Sequence, residues 1–217
     1  MSTFVVVGGA GRTGRRVVDR LTAGGHHVVI ASREAHPAPE GAEVVTLDLA
    51  SPDPSVFAGA EGVVISVEPP KEPRGAESVM HEGVAEIAEI AAREDIPVVL
   101  VSQIYLTRAS EHPEMTARIE ARARGEHALR TSGAQYTIVR PSWLHDLPAN
   151  GVRVEQGDTG EGRISRDAVA DAVVAALFDP SASGKTFELY DDADSPKPDW
   201  PALFAALKPD PGATESA

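Results

Sequence analysis

The chain has 217 residues, no cysteine and a formal net charge of −13. Its length suits one domain with a sizeable core, and the absent cysteines exclude disulfides, thiolate nucleophiles and cysteine-based metal sites. The charge disfavours nucleic acid and no apolar run is long enough to span a bilayer, so the expectation is a metal-free cytoplasmic protein, monomer or homodimer, acting on a small molecule.

From the N-terminus, valine-rich runs alternate with stretches of helical composition. Strands are predicted at Phe4–Val7, His27–Ala31, Ala42–Leu47, Gly62–Val67, Val98–Ser102, Tyr136–Val139 and Thr186–Tyr190. Several are apolar throughout, as strands covered on both faces are. Helices are predicted at Arg12–Ala23, Ala76–Arg93, Pro113–Thr131 and Asp167–Phe178. This alternation implies βαβ units and an α/β fold of Rossmann type, a doubly wound parallel sheet with helices on both faces. Glu68–Gly75 carries three prolines, which argues against helix there. After Pro141 the pattern loosens into Asp146–Gly151, a loop expected near a site. One domain is assigned to residues 1–194, its small substrate region mainly 141–194, followed by a Pro-rich acidic tail at 195–217. The tail is expected to hold a short helix near Trp200–Leu207 and then fray.

The densest chemical signal follows the first strand, where residues 8–14 read GGAGRTG. Gly8, Gly11 and Gly14 fit G-x-x-G-x-x-G, and Gly9, Gly11 and Gly14 fit G-x-G-x-x-G, in the strand–turn–helix setting of a phosphate loop. The first glycines permit the tight turn, Gly11 lets the backbone approach a pyrophosphate, and Gly14 allows close helix–sheet packing. Free N–H groups at the helix start, around Arg12 and Thr13, meet the negative charge. A ligand-free Gly-rich turn is the alternative.

The end of the second strand separates the dinucleotides. NAD sites offer an acidic residue about 20 positions beyond the loop, whereas this chain has Ala31-Ser32-Arg33. Arg33 can fork onto a 2′-phosphate, Ser32 can donate to it, and Arg12 can reach the same group. A solvated strand-end charge is the other reading of Arg33, and the neighbouring Glu34 weighs against a phosphate. The expected cofactor is NADP(H).

Together, GGAGRTG, Leu47-Asp48-Leu49, Tyr136-Thr-Ile-Val-Arg-Pro141 and Ile164-Ser-Arg-Asp-Ala-Val-Ala170 resemble the atypical short-chain dehydrogenase/reductases. More narrowly, residues 3–192 are similar to the NAD(P)H-binding group that contains NmrA-like proteins and the flavin/biliverdin-IX-beta reductases. The resemblance implies that Asp48 contacts the adenine edge with Leu49 on the ring. It sets Ser66 and Val67 beside the adenosine ribose, Ser102 and Gln103 near the nicotinamide ribose, and Pro141, Ser142 and Trp143 on the nicotinamide side. The plainer readings are a turn cap for Asp48 and core for Trp143.

Members of the wider superfamily use Tyr-x-x-x-Lys, in which the lysine lowers the tyrosine pKa and the tyrosine transfers a proton. Counting back from Glu126, Arg122 stands at the lysine position and Arg118 at the tyrosine position. Arg122 can hold a ribose hydroxyl or a phosphate but cannot shuttle a proton. Reducing a conjugated acceptor demands less, because a delocalised anion can take its proton from water. Ser102 and Tyr105 are the candidate catalytic residues, with a packing tyrosine as the other reading of Tyr105. His112 and His145, in rim loops, could orient a substrate beside Trp143 or be ordinary surface histidines. The expected function is hydride transfer from NADPH to a quinone, flavin or similar aromatic molecule. The alternatives are a non-catalytic NADP(H) sensor of the NmrA type and, less favoured, a sugar-nucleotide epimerase.

Overall fold

The valine-rich runs form strands because both of their faces are covered. In β1 (Thr3–Val7), Phe4 and Val6 enter one core while Val5 and Val7 enter another on the opposite face. This period of two recurs in β2 (His27–Ser32), where Val28 and Ile30 face one side and Val29 and Ala31 the other. The structure, a computed structural model, describes residues 1–149 and 151–213. Asn150 of the expected 146–151 loop and residues 214–217 of the tail lie outside the described residues.

The main sheet also contains β3 (Ala42–Thr46), β4 (Gly62–Ile65), β5 (Val98–Val101), β6 (Tyr136–Pro141), β8 (Val152–Glu155) and β10 (Lys185–Asp191). Their order is β3-β2-β1-β4-β5-β6-β10-β8, parallel except for the β10–β8 pair. Helices α1 (Arg12–Ala23), α5 (Arg166–Phe178) and α6 (Trp200–Ala206) cover one face; α3 (Gly83–Glu94) and α4 (Thr116–Thr131) cover the other. The chain winds outward from β1 to β3 and then returns to place β4 against β1. Such a reversal opens a crevice beyond the carboxyl ends of the two central strands. The Rossmann-type architecture read from the sequence is thus the architecture observed. Among the described residues, no helix is long and apolar enough to cross a membrane.

Three local expectations need correction. The Pro-rich segment is helical from Pro73: α2 (Pro73–Glu77) places that proline in the first turn, where no N–H is needed. A π-helical turn, Ser78–Glu82, joins α2 to α3, and α4 crosses it so closely that a Cβ on Gly125 would overlap the Met80 carbonyl. The strands expected after Pro141 are too few: the expected loop is present, with no helix or strand at 146–149 or Gly151, but the region has further strands on either side of it. It holds β7 (Trp143–His145) and β9 (Arg163–Ser165), which pair in parallel as a separate two-stranded sheet, and the edge strand β8. Beyond α6, where Phe204 is fully buried, the described part of the tail is held at Asp210, whose carboxylate accepts from Arg130 at 2.9 Å and from Tyr136 at 3.1 Å.

Candidate functional site

The carboxyl ends of β1, β4, β5 and β6 surround a cavity of about 500 Å³. The turn after β1 puts Gly8 at φ +81°, where a Cβ would overlap the Ser66 carbonyl. A Cβ on Gly14 would overlap the Gly8 carbonyl, so the fold itself requires both glycines. Gly11 differs: its Cβ would meet only the Gly8 carbonyl oxygen, at 3.1 Å, and the residue borders the cavity. It caps α1 without a side-chain hydrogen bond, leaving the first-turn N–H groups available to an anion.

Thr13 and Arg12 line the cavity beside Gly11. Ser66 and Val67 enter it after β4, Ser102, Gln103 and Tyr105 after β5, Pro141, Ser142 and Trp143 after β6, and Arg122 from α4. Three of these groups are buried without a hydrogen-bond partner among the described residues: Ser102 Oγ, Ser142 Oγ and Arg122 Nε. Arg122 has only a long contact to the Val101 carbonyl, 3.4 Å, and Glu68 at 3.9 Å. Burial pulls its guanidinium down to about 10, which still leaves it charged at neutral pH. Buried polar groups normally find partners, and a dinucleotide's ribose hydroxyls and carboxamide are partners of the required kind.

Tyr105 is fixed by unusual means. It is a non-glycine residue at φ +75°, a conformation that costs roughly 1–2 kcal/mol. The buried Asp158 carboxylate offsets this by accepting the Tyr105 N–H at 2.7 Å and the Thr107 N–H at 2.8 Å. The Tyr105 hydroxyl donates to Glu161 at 2.5 Å and accepts from Trp143 Nε1 at 2.9 Å. Burial first, and the Glu161 carboxylate second, push the phenol pKa up. Its proton is therefore directed at Glu161 and held more tightly than usual, the opposite of an activated acid. His112 packs on the Tyr105 ring at 4.0 Å between centroids, and Trp143 is 52% exposed, a cavity wall and not core.

Other sequence-selected residues lie outside this lining. His145 does not enter it: Nε2 donates to Asp191 at 2.5 Å while Nδ1 accepts the Leu147 N–H. Asp48 accepts the Ala50 N–H at 3.0 Å, as a turn cap does, and Leu49 is buried beside Gly83. Ser32 Oγ donates to the Glu34 carbonyl at 2.5 Å, and Arg33 is exposed at the end of β2. Sequence reasoning passed over Asp146, Asp158 and Glu161. Asp146 receives Arg12, Arg16 and Arg166 at 3.4, 3.3 and 3.1 Å. The Gly157-Asp158-Thr159-Gly160 run signals a turn, but nothing local shows which distant backbone its carboxylate captures.

Residues 8–180 match the family described as NAD(P)H-binding. Sugar epimerase YhfK of Bacillus subtilis, itself uncharacterised, is 27% identical over 90% of this chain and 96% of its own length. An uncharacterised chloroplast protein of Arabidopsis thaliana is 42% identical over 90 residues, 41% of this chain; the match spans about a third (32%) of the plant protein. Among solved structures, a candidate NAD-dependent epimerase/dehydratase of Bacillus halodurans superposes with a TM-score of 0.84 at 24% identity, over 95% of this chain and 100% of the other. The anaerobillin reductase ChuY of Escherichia coli O157:H7 gives 0.71 at 20% identity, over 90% and 100%. At those identities the likeness shows the fold. The family match covers most of the chain and includes the glycine loop, the ends of β4 to β6 and α4, and so the protein belongs to the NAD(P)H-binding family, as its resemblance to atypical short-chain dehydrogenase/reductases implied.

Proposed function

We propose that the protein is an NADPH-dependent reductase of conjugated or aromatic small molecules such as quinones or flavins. The observation that carries this reading is the convergence of Ser102 Oγ, Ser142 Oγ and Arg122 Nε, all buried and unpartnered among the described residues, on one cavity beside an uncapped helix start. Gly11 and the first turn of α1 would take the pyrophosphate, Arg122 and Ser102 the nicotinamide ribose, and Ser142 the nicotinamide side. Arg33, with Ser32 and Arg12, would take the 2′-phosphate. When bound, NADPH supplies a hydride that, with one proton from water, converts a quinone to a hydroquinone and leaves NADP⁺.

The chain's own contribution is position and charge. Arg118 and Arg122 stand where a proton-transferring pair would be needed, and the Tyr105 proton is committed to Glu161. That arrangement suits acceptors whose reduced anion is stable enough to be protonated by solvent, and it weighs against the epimerase activity named for two of the similar proteins. The reductase among the structural neighbours supports the preferred reading.

The test is NADPH oxidation with menadione as acceptor, in the parent and in Tyr105→Phe. The parent should turn over, and Tyr105→Phe should lower kcat by less than about tenfold, whereas loss of a true general acid costs on the order of 10²–10⁴. A thousandfold loss would make Tyr105 the proton donor. Tight NADPH binding with no turnover on quinone, flavin or carbonyl acceptors would instead identify a sensor.

A further inference from the structure

Arg118 and Arg122 lie one helical turn apart on α4 and both line the cavity. Arg122 is the deeper, 6% exposed, while Arg118 lies toward the rim beside Met115 with its side chain 25% exposed. The carboxylate closest to the pair is Glu68, 3.9 Å from each and itself 80% exposed. At that separation neither contact is a hydrogen bond. Among the described residues, Glu68 is the one acid in the lining, and nearby acids have other partners: Glu161 has Tyr105 and Arg108, Asp146 has Arg12, Arg16 and Arg166, and Glu114 lies 3.5 Å from His112. Four arginines line the cavity; with Arg12 and Arg166 paired to Asp146, Arg118 and Arg122 face one loosely placed carboxylate, in a protein whose overall charge is −13.

An apolar platform faces the rim. Trp143 is half-exposed there, fixed by its Nε1 hydrogen bond to Tyr105 and by the edge of His112 at 5.9 Å between centroids. Once Arg122 serves the cofactor, Arg118 is left with a planar two-donor fork whose nearest carboxylate is the exposed Glu68 at 3.9 Å, in the cavity that Trp143 also lines. Such a fork matches a carboxylate better than any neutral polar group.

We infer that the substrate is an aromatic carboxylate, its ring against Trp143 and its carboxylate on Arg118. The inference rests on the reductase reading, since it needs the cofactor to occupy the Arg122 end of the cavity. Arg118 is then the residue that sets substrate charge.

Two inert probes of equal shape test it, 2-naphthoate and 2-naphthamide, titrated calorimetrically into the protein saturated with NADP⁺. The carboxylate should bind about tenfold more tightly than the amide, the scale of one charge-assisted hydrogen bond. Arg118→Gln should reduce that preference to less than about twofold, and Arg118→Lys, which keeps the charge without the fork, should retain an intermediate preference. Equal affinities in the parent, no binding of either probe, or a preference unchanged in Arg118→Gln would each overturn the assignment. Failure of the reductase reading shows separately, as absent NADPH binding in the same calorimeter or absent menadione reduction.

Discussion

Gly11 and Gly14 stand three residues apart in one loop and answer to different demands. At Gly14 the obstacle is backbone, the Gly8 carbonyl, so Gly14→Val should lower unfolding free energy by more than about 3 kcal/mol. At Gly11 the contact is milder, the Gly8 carbonyl oxygen at 3.1 Å, so Gly11→Val should melt closer to the parent than Gly14→Val yet bind no NADPH. Thermal denaturation followed by circular dichroism, paired with calorimetry, separates the two; a folded Gly11→Val that binds NADPH normally would refute the pyrophosphate role. The motif spacing was legible in the sequence; that Gly8 also admits no Cβ was not, because the carbonyl that excludes one belongs to Ser66, at the far end of β4. Arg33 makes a second single-residue test. Arg33→Ala should weaken NADPH about tenfold, the loss of one charge-assisted contact, and leave NADH almost unchanged. Equal affinity of the parent for the two cofactors would remove the 2′-phosphate assignment.

Helix α4 and strands β6 and β10 are joined by buried charge as well as by packing. Arg140 of β6 binds both Glu126 oxygens, at 3.0 and 2.6 Å, and Glu188 of β10 at 3.1 Å; Arg130 adds a contact to Glu126 at 2.8 Å. The two acids are not equivalent. Glu126→Gln removes the negative charge shared by two arginines and should cost about 3–5 kcal/mol, the penalty for breaking a buried pair. One Glu188 oxygen has no hydrogen-bond partner among the described residues, and burial raises its carboxyl above the ordinary 4.5. The folded chain therefore binds more protons at Glu188 than the unfolded chain between 4.5 and that raised value, and its contribution to stability falls as pH rises through this window. Urea unfolding should show this decline in the parent and a flatter profile in Glu188→Gln, which should cost far less than Glu126→Gln at neutral pH. A larger loss in Glu188→Gln would reverse the ranking. The parallel strands from β1 to β6 other than β3 could be read from apolar runs because they are covered on both faces; β3, at the sheet edge, is only partly buried. β7, β8 and β9 could not be read this way: they are three or four residues long, partly exposed, and defined by partners distant in the chain. The helical start at Pro73 was hidden for a different reason, since proline counts against helix everywhere but in the first turn.

The cavity draws its walls from β1, β4, β5, β6 and α4, so a ligand filling it ties both faces of the sheet into one unit. At about 100 times its dissociation constant, NADPH should stabilise the folded chain by roughly 2.7 kcal/mol, which for a chain of this size raises the melting temperature by roughly 5–10 °C. A shift below about 2 °C at that concentration would show that the cooperative melting unit does not include the cofactor site. The rim is built separately. β7 and β9 make their ladder with each other and not with the main sheet, and the 105–107 turn hangs on Asp158. Substitutions at the exposed Trp143 or Arg163 can therefore accumulate without disturbing the strands that set the glycine loop. A lineage founded on this frame can exchange its substrate by drift in a small patch while inheriting its cofactor intact, and related chains with the same central sheet can diverge in chemistry before they diverge in shape.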